Sequence, residues 1–282
     1  MIQRGEKMKL KHISNIKWIG GKHGKEEKYL DLMPEHKIFV DCFFGSGAIP
    51  FYKETVKPAK LTIVNDINDK LINYMMVLKE DPERLYKECS SLPYSESLFE
   101  KWKWEAWPKD NLQAAVRFYY LMRVCFGGGG HKYRNGIGLS KTQNKAKQLM
   151  TATELIPKMA ELIRNWNILN RDFEEVIRFY DTEETLFFLD PPYHKHEDMY
   201  FGGFEEKDHI RLKKRLDKIK GKAMVCYYSS PLIDELYKDW HVIKYSTASQ
   251  IKNRTNGEKC PVRNELILIN YKPIGFEQLS IV

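Results

Sequence analysis

Short apolar runs recur along the chain, and several close on an acidic or polar residue. They are Ile38-Phe39-Val40-Asp41, the run from Leu61 to Asp66, Leu186-Phe187-Phe188-Leu189-Asp190, the run from Met224 to Tyr228, and Leu266-Ile267-Leu268-Ile269. Continuous apolar runs of this kind predict strands buried on both faces, as in a parallel sheet. Amphipathic stretches lie between them. Asn68 to Lys79 and Glu206 to Lys218 are the clearest predicted helices. Strand and helix in alternation predict an α/β fold with an open, doubly wound and mostly parallel sheet.

The rhythm breaks in the middle. From Asp81 to Lys158 no strand pattern appears. This stretch holds a helical run, Leu112 to Val124, and then the glycines Gly127 to Gly130. His131-Lys132-Tyr133-Arg134-Asn135 follows, and after it a polar run, Ser140 to Gln148, with Lys141, Lys145 and Lys147. The reading is a helical insertion, 81–158, carrying a basic, glycine-rich loop. Residues 1–80 and 159–282 would then form one α/β domain.

Charge adds a partner class. The 282-residue chain carries a formal net charge of +8, which is compatible with a polyanionic ligand. The five cysteines are scattered without CxxC spacing, so neither a zinc site nor a disulfide framework is indicated. The first residues are charged rather than apolar, and no run reaches the length of a membrane span. A cytoplasmic protein is expected.

Three segments carry chemistry. In Asp41-Cys42-Phe43-Phe44-Gly45-Ser46-Gly47 a strand ends in an acid and two glycines bracket a serine. Ligands of open α/β sheets bind at strand carboxyl ends, and glycine lets backbone approach them. Neither GxGxxG nor a Walker lysine is present, which disfavours dinucleotides and nucleoside triphosphates. Asp66, closing the second run, is placed to accept hydrogen bonds from ribose hydroxyls; an alternative is that it caps the following helix. Together these suggest an adenosine-containing cofactor without phosphates. The third segment is Asp190-Pro191-Pro192-Tyr193. Two prolines stiffen the turn, and the result is a strand-end platform with a carboxylate, backbone carbonyls and an aromatic ring. Those groups suit a planar ring bearing an amine.

Asp190-Pro191-Pro192-Tyr193 resembles the DPPY signature of amino-methyltransferases, and Asp41 to Gly47 resembles their FxGxG cofactor loop. Lys17-Trp18-Ile19-Gly20-Gly21-Lys22 resembles the KWxGGK element that opens the Dam-type, or D12, class of adenine-specific DNA methyltransferases. The order of the three elements, with the insertion between the second and third, is also that of this class. The resemblance runs from Lys17 to Tyr271. It implies a Rossmann-like, S-adenosylmethionine-dependent methyltransferase sheet with a C-terminal antiparallel hairpin, and an inserted target-recognition domain.

It further implies methyl transfer from S-adenosylmethionine to adenine N6 in duplex DNA by base flipping, leaving S-adenosylhomocysteine, with no metal. Asp190, Pro191, Pro192 and Tyr193 become the catalytic platform, with Tyr193 receiving the flipped base. Trp18, Lys22, Asp41, Phe43, Gly45, Gly47, Asp66, Asp172, Phe173 and Asp190 become cofactor residues, Asp172 meeting the cofactor's adenine amine. The hairpin from Tyr245 to Glu265 is expected near DNA. Candidate DNA contacts are Arg123, Lys132, Arg134, Asn135, Lys141, Lys145, Arg254 and Lys259. A monomer is expected, encoded by a bacterium or a phage. A separately acting cognate restriction endonuclease is one candidate partner. The chain departs from the class after Arg123-Val124-Cys125-Phe126, where four glycines replace an asparagine-glycine, and this leaves the target sequence unassigned.

Overall fold

The computed structural model describes residues 13–128, 135–248 and 262–273. A helix α1 (Glu26–Leu32) precedes β1 (Ile38–Asp41), α2 (Ala48–Val56), β2 (Leu61–Asn65) and α3 (Asp69–Glu80). The helices α4 (Pro82–Ser90), α5 (Glu96–Trp104), α6 (Asn111–Val124), α7 (Lys145–Thr153) and α8 (Ile156–Ile163) follow without an intervening strand. The alternation then resumes with β3 (Asn167–Leu169), α9 (Phe173–Tyr180), β4 (Thr185–Leu189), α10 (Glu206–Leu216), β5 (Lys222–Tyr228) and α11 (Pro231–Leu236). The hairpin β6 (His241–Ala248) and β7 (Val262–Ile269) closes the order.

The strands form a seven-stranded sheet in the order β3-β2-β1-β4-β5-β7-β6. The first five are parallel, and β7 is antiparallel to both β5 and β6. The expected mostly parallel sheet with an antiparallel hairpin is therefore present. Every residue of β4 is buried, which is why that strand reads as an unbroken apolar run. Asp41 lies beside Val64 on one side and Phe188 on the other. The carboxyl ends of β1, β2, β3 and β4 thus share one edge. Chain order reverses between β1 and β4, the crevice where open α/β sheets bind ligands.

Helix α6 is buried nearly all round, the mark of a helix inside a core rather than on it. Its Phe118 and Tyr119 rings pack on Tyr74 of α3, and Tyr120 packs edge-on against Trp102 of α5. Buried Arg117 donates to the carbonyls of Trp102, Glu105 and Ala106, which satisfies the orphan acceptors at the end of α5. One apolar core surrounds the central strands. A second gathers α3 to α8 and takes in Phe44, Phe51, Val64 and Trp166. The insertion's helices therefore share a core with α3 and the glycine loop. No helix among the described residues is long and apolar enough to cross a membrane.

Candidate active site at the strand ends

Four loops meet at the carboxyl edge, and asparagines tie them together. Asn65 donates to the carbonyls of Cys42 and Arg171 at 3.1 and 3.0 Å and accepts from Arg171 N–H at 2.9 Å. Asn170 donates to the Asp66 carbonyl at 2.8 Å. The ends of β1, β2 and β3 are thereby fixed relative to one another before any ligand is considered. Sequence reasoning missed Asn65, because it reads as the ordinary polar end of an apolar run.

The glycine loop is shaped by close approach. A Cβ on Gly45 would lie 2.9 Å from Trp18 Nε1, and Gly47 has φ +68° with the Phe44 ring where its Cβ would be. Only glycine meets both demands. Asp66 accepts from Gly45 N–H and Asn68 N–H, each at 2.9 Å. The cap of α3 is Asn68, which accepts from the Lys70 and Leu71 N–H groups. Asp66 is thus not that helix's side-chain cap. Burial pushes its carboxyl up to about 6, against those backbone N–H bonds.

A cleft opens between these loops. One end is walled by Phe43, Phe173 and Phe204, whose ring centroids lie 5.6 to 5.9 Å apart. Trp18, Gly45, Asp66, Asp172 and Asp190 also line it. Asp172 caps α9 through Glu174 N–H. Both of its oxygens accept from Arg211, at 3.0 and 2.8 Å, and the guanidinium sits 4.3 Å over the Phe173 ring. The expected acceptor for an adenine amine is therefore already half of a bidentate ion pair. Phe204 and Arg211 come from beyond the motifs and had no sequence signal of their own.

The other end holds Lys22, Asp41, Gly45, Asp190, Tyr193 and Tyr200, with Trp18 common to both ends. Lys22 is buried. Its Nζ lies 2.7 Å from both Asp190 oxygens, 2.7 Å from the Tyr193 hydroxyl and 3.1 Å from Glu265 Oε1. Burial alone would lower its pKa, but Asp190 and Glu265 hold it well above the ordinary lysine range. Burial pushes the Asp190 carboxyl up, and Lys22 pulls it back. Asp41 is buried with its oxygen on Phe43 N–H, and burial raises its carboxyl far above the usual range.

Two expectations change here. Tyr193 does not offer an open ring for stacking: it is 4% exposed. Its hydroxyl donates within the Asp190 and Glu265 cluster, at 3.0 and 3.1 Å, and its ring meets Tyr228 edge-on at 4.5 Å. Glu265, expected with the hairpin near DNA, is likewise buried and faces Lys22. Both follow from the buried lysine, whose charge draws every nearby acceptor inward.

Of the candidate DNA contacts, Lys132, Arg134, Arg254 and Lys259 lie outside the described residues. Lys141 is exposed, and Asn135 uses its amide on the Phe126 carbonyl at 3.2 Å. Arg123 and Lys17 line a groove with Lys147, Gln148 and Asn144, at the start of α7. Arg123 donates to the Gln148 carbonyl at 3.2 Å, and its buried Nε has no hydrogen-bond partner among the described residues. Lys17 donates to the Arg123 carbonyl at 2.6 Å. Burial, with the charges of Arg123 and Lys145, lowers the Lys17 pKa to about 8. No carboxylate lines this groove among the described residues. Cations held together without a counter-charge favour an incoming anion.

Comparison with known proteins matches residues 18–251 to the D12 class N6 adenine-specific DNA methyltransferases. The Type II methyltransferase M1.LlaDCHI of Lactococcus lactis subsp. cremoris is 30% identical, over 90% of this chain and 94% of its own length. The Type II methyltransferase M.MjaIII of Methanocaldococcus jannaschii is 27% identical, over 91% of this chain and 98% of its own.

Proposed function

Because this chain belongs to the D12 class of N6 adenine-specific DNA methyltransferases, we propose that it uses S-adenosylmethionine to methylate adenine flipped out of duplex DNA. The observation that carries this reading is the single cleft joining an aromatic-walled end to the Lys22, Asp190 and Tyr193 cluster. The aromatic end fits the flat adenine of the cofactor. Asp66 stands at the position for its ribose hydroxyls, and Gly45 leaves room beside Trp18. Lys22 and Arg211 are both committed to carboxylates, which suits a cofactor without phosphates. Bound there, S-adenosylmethionine supplies an electrophilic methyl group.

The chain's own work is on the amine. Adenine N6 is a poor nucleophile because its lone pair is conjugated with the ring. Asp190 and the Pro191 carbonyl accept the two amine hydrogens, which localises the lone pair and stabilises positive charge developing on nitrogen. An amine inside a stacked duplex is not open to such a site, which is why the reading includes base flipping. The reading extends to a restriction-modification role, in which a separate endonuclease is blocked by the methyl mark. The deciding experiment is expression in a methylation-free host, with modified bases read by single-molecule sequencing. N6-methyladenine at one sequence is expected, and its absence from DNA overturns the reading.

Cofactor binding should depend on Asp66 and on pH. Asp66→Ala should weaken S-adenosylmethionine binding by roughly 1.5–3 kcal/mol, the range for a hydrogen bond to a charged group. The wild-type carboxyl, raised to about 6 by burial, is charged above that pH. Affinity should therefore hold near neutrality and decline as the pH falls through 6. Isothermal titration calorimetry at several pH values measures both. An unaltered affinity in the variant would remove Asp66 from the site.

DNA affinity should fall steeply with salt if the groove at Lys17 and Arg123 seats a phosphate. Neutralising Lys17 or Lys147 should lower the slope of log K against log salt by about one per lost contact, without changing the methylated sequence. A changed sequence would make these residues base readers.

A further inference from the structure

Both oxygens of Asp190 face Lys22 as the side chains stand, at 2.7 Å each. An adenine amine that bonds to Asp190 needs one of those oxygens. Oδ1 already accepts from both Lys22 and the Tyr193 hydroxyl, and Oδ2 from Lys22, so the amine must share a carboxylate with Lys22, and weakening a buried ammonium's hold on its counter-ion is costly. Glu265 lies on Lys22's other side, 3.1 Å away. It is itself pinned, by Lys25 at 2.7 Å on Oε2 and by the hydroxyls of Tyr29 and Tyr193 at 3.1 Å on Oε1. Its side chain is 4% exposed. Burial would raise its carboxyl, but Lys22 and Lys25 hold it down at about 2, so the post stays charged.

The position has a topological origin. β7 runs antiparallel to β5, so its first residues return to the edge where the parallel strands end. Glu265 is paired there with Tyr228, the last residue of β5. A carboxylate 240 residues from Lys25 is thereby set under the catalytic platform.

We propose that Glu265 is a positioning residue for methyl transfer: it keeps Lys22 paired while Lys22 shares the Asp190 carboxylate with the incoming adenine amine. Glu265 touches neither the amine nor the methyl donor; it acts through Lys22. The inference rests on Asp190 as the amine's acceptor, the reading given above.

The test is single-turnover transfer of labelled methyl from S-adenosylmethionine to duplex DNA, both saturating. Glu265→Gln keeps the shape and removes the charge. Its transfer rate should fall about 10- to 100-fold, a loss expressed in the chemical step alone. Dissociation constants for cofactor and DNA should stay within about twofold. Glu265→Asp, which keeps the charge but withdraws it, should fall between the two. In a Lys22→Met background, Glu265→Gln should add no further loss, because residues acting as one unit are not additive.

A wild-type rate in folded Glu265→Gln overturns the inference, and so do losses that multiply in the double variant. Should Glu265→Gln fail to fold, folded Glu265→Asp carries the test alone, and a wild-type rate there is equally decisive against it. A wild-type protein that methylates no DNA adenine instead overturns the underlying reading.

Discussion

Asp190→Ala is expected to cut single-turnover methyl transfer by about 10²- to 10³-fold, the scale of losing an oriented electrostatic group in a dry site. The fold should survive. Without Asp190, Lys22 keeps Glu265 at 3.1 Å and the Gly20 carbonyl at 3.1 Å as partners. A buried charge that retains a counter-ion does not unfold a domain. DNA affinity should remain near wild type, since phosphate contacts supply most of it and Asp190 makes none. Circular dichroism checks the fold, fluorescence anisotropy checks DNA binding, and labelled transfer measures the rate. Asp190→Asn is the sharper companion. It retains an acceptor oxygen but loses the charge, so a partial rate there would assign the difference to electrostatics. Folded Asp190→Ala that transfers methyl near the wild-type rate would leave the proline turn as a purely structural feature.

Lys22→Met should have the largest effect on stability. Two buried carboxylates lose their shared cation, and Glu265 keeps Lys25 and the hydroxyls of Tyr29 and Tyr193. Removing one partner from a buried ion pair costs about 3–5 kcal/mol, and the surviving Lys25 contact places the expectation at the low end. That corresponds to a fall in Tm of roughly 5–10 °C for a domain of this size. The pH dependence has a definite sign. In the wild type the Glu265 carboxyl is held down at about 2, against burial, chiefly by Lys22. A depressed carboxyl stabilises the fold above its unfolded pKa, and that contribution is lost as pH falls toward the folded value. The variant lacks most of this term. Its deficit should be fullest at neutral pH and narrow on acidification, as Glu265 and Asp190 take up protons. Melting curves from pH 2 to pH 8 test this, where a constant deficit would mean that Lys22 acts by packing rather than charge. Activity should fall as well, because Asp190 then keeps only the Tyr193 hydroxyl of that cluster.

The class of fold was legible because its signals are local. An apolar run buried on both faces looks the same whether its neighbours are known or not, and β1, β2, β4, β5 and the core of β7 were all found that way. β3 was not, because its three residues, one exposed and two half-buried, carry no period to read. The motifs were legible for a related reason. Glycines packed against Trp18 and prolines after a buried strand are constraints on a few adjacent residues.

Other features only the tertiary structure decided. Lys22 and Asp190 are 168 positions apart, and Lys25 and Glu265 are 240 apart. No window along the chain contains either pair. Glu265 reads as the polar start of an apolar strand, and it becomes part of the candidate site only because an antiparallel strand returns its first residues to the parallel edge. Tyr193 has the chemistry of a stacking platform by itself, yet the buried ammonium of Lys22 draws its hydroxyl inward and covers the ring. Arg211 joins Asp172 across two helices, and that pairing occupies a carboxylate the motif alone left free. The sequence by itself determined which chemical groups stand at the strand ends. Long-range packing decided how they are paired, because charge pairing in a buried site depends on distance through space and not along the chain.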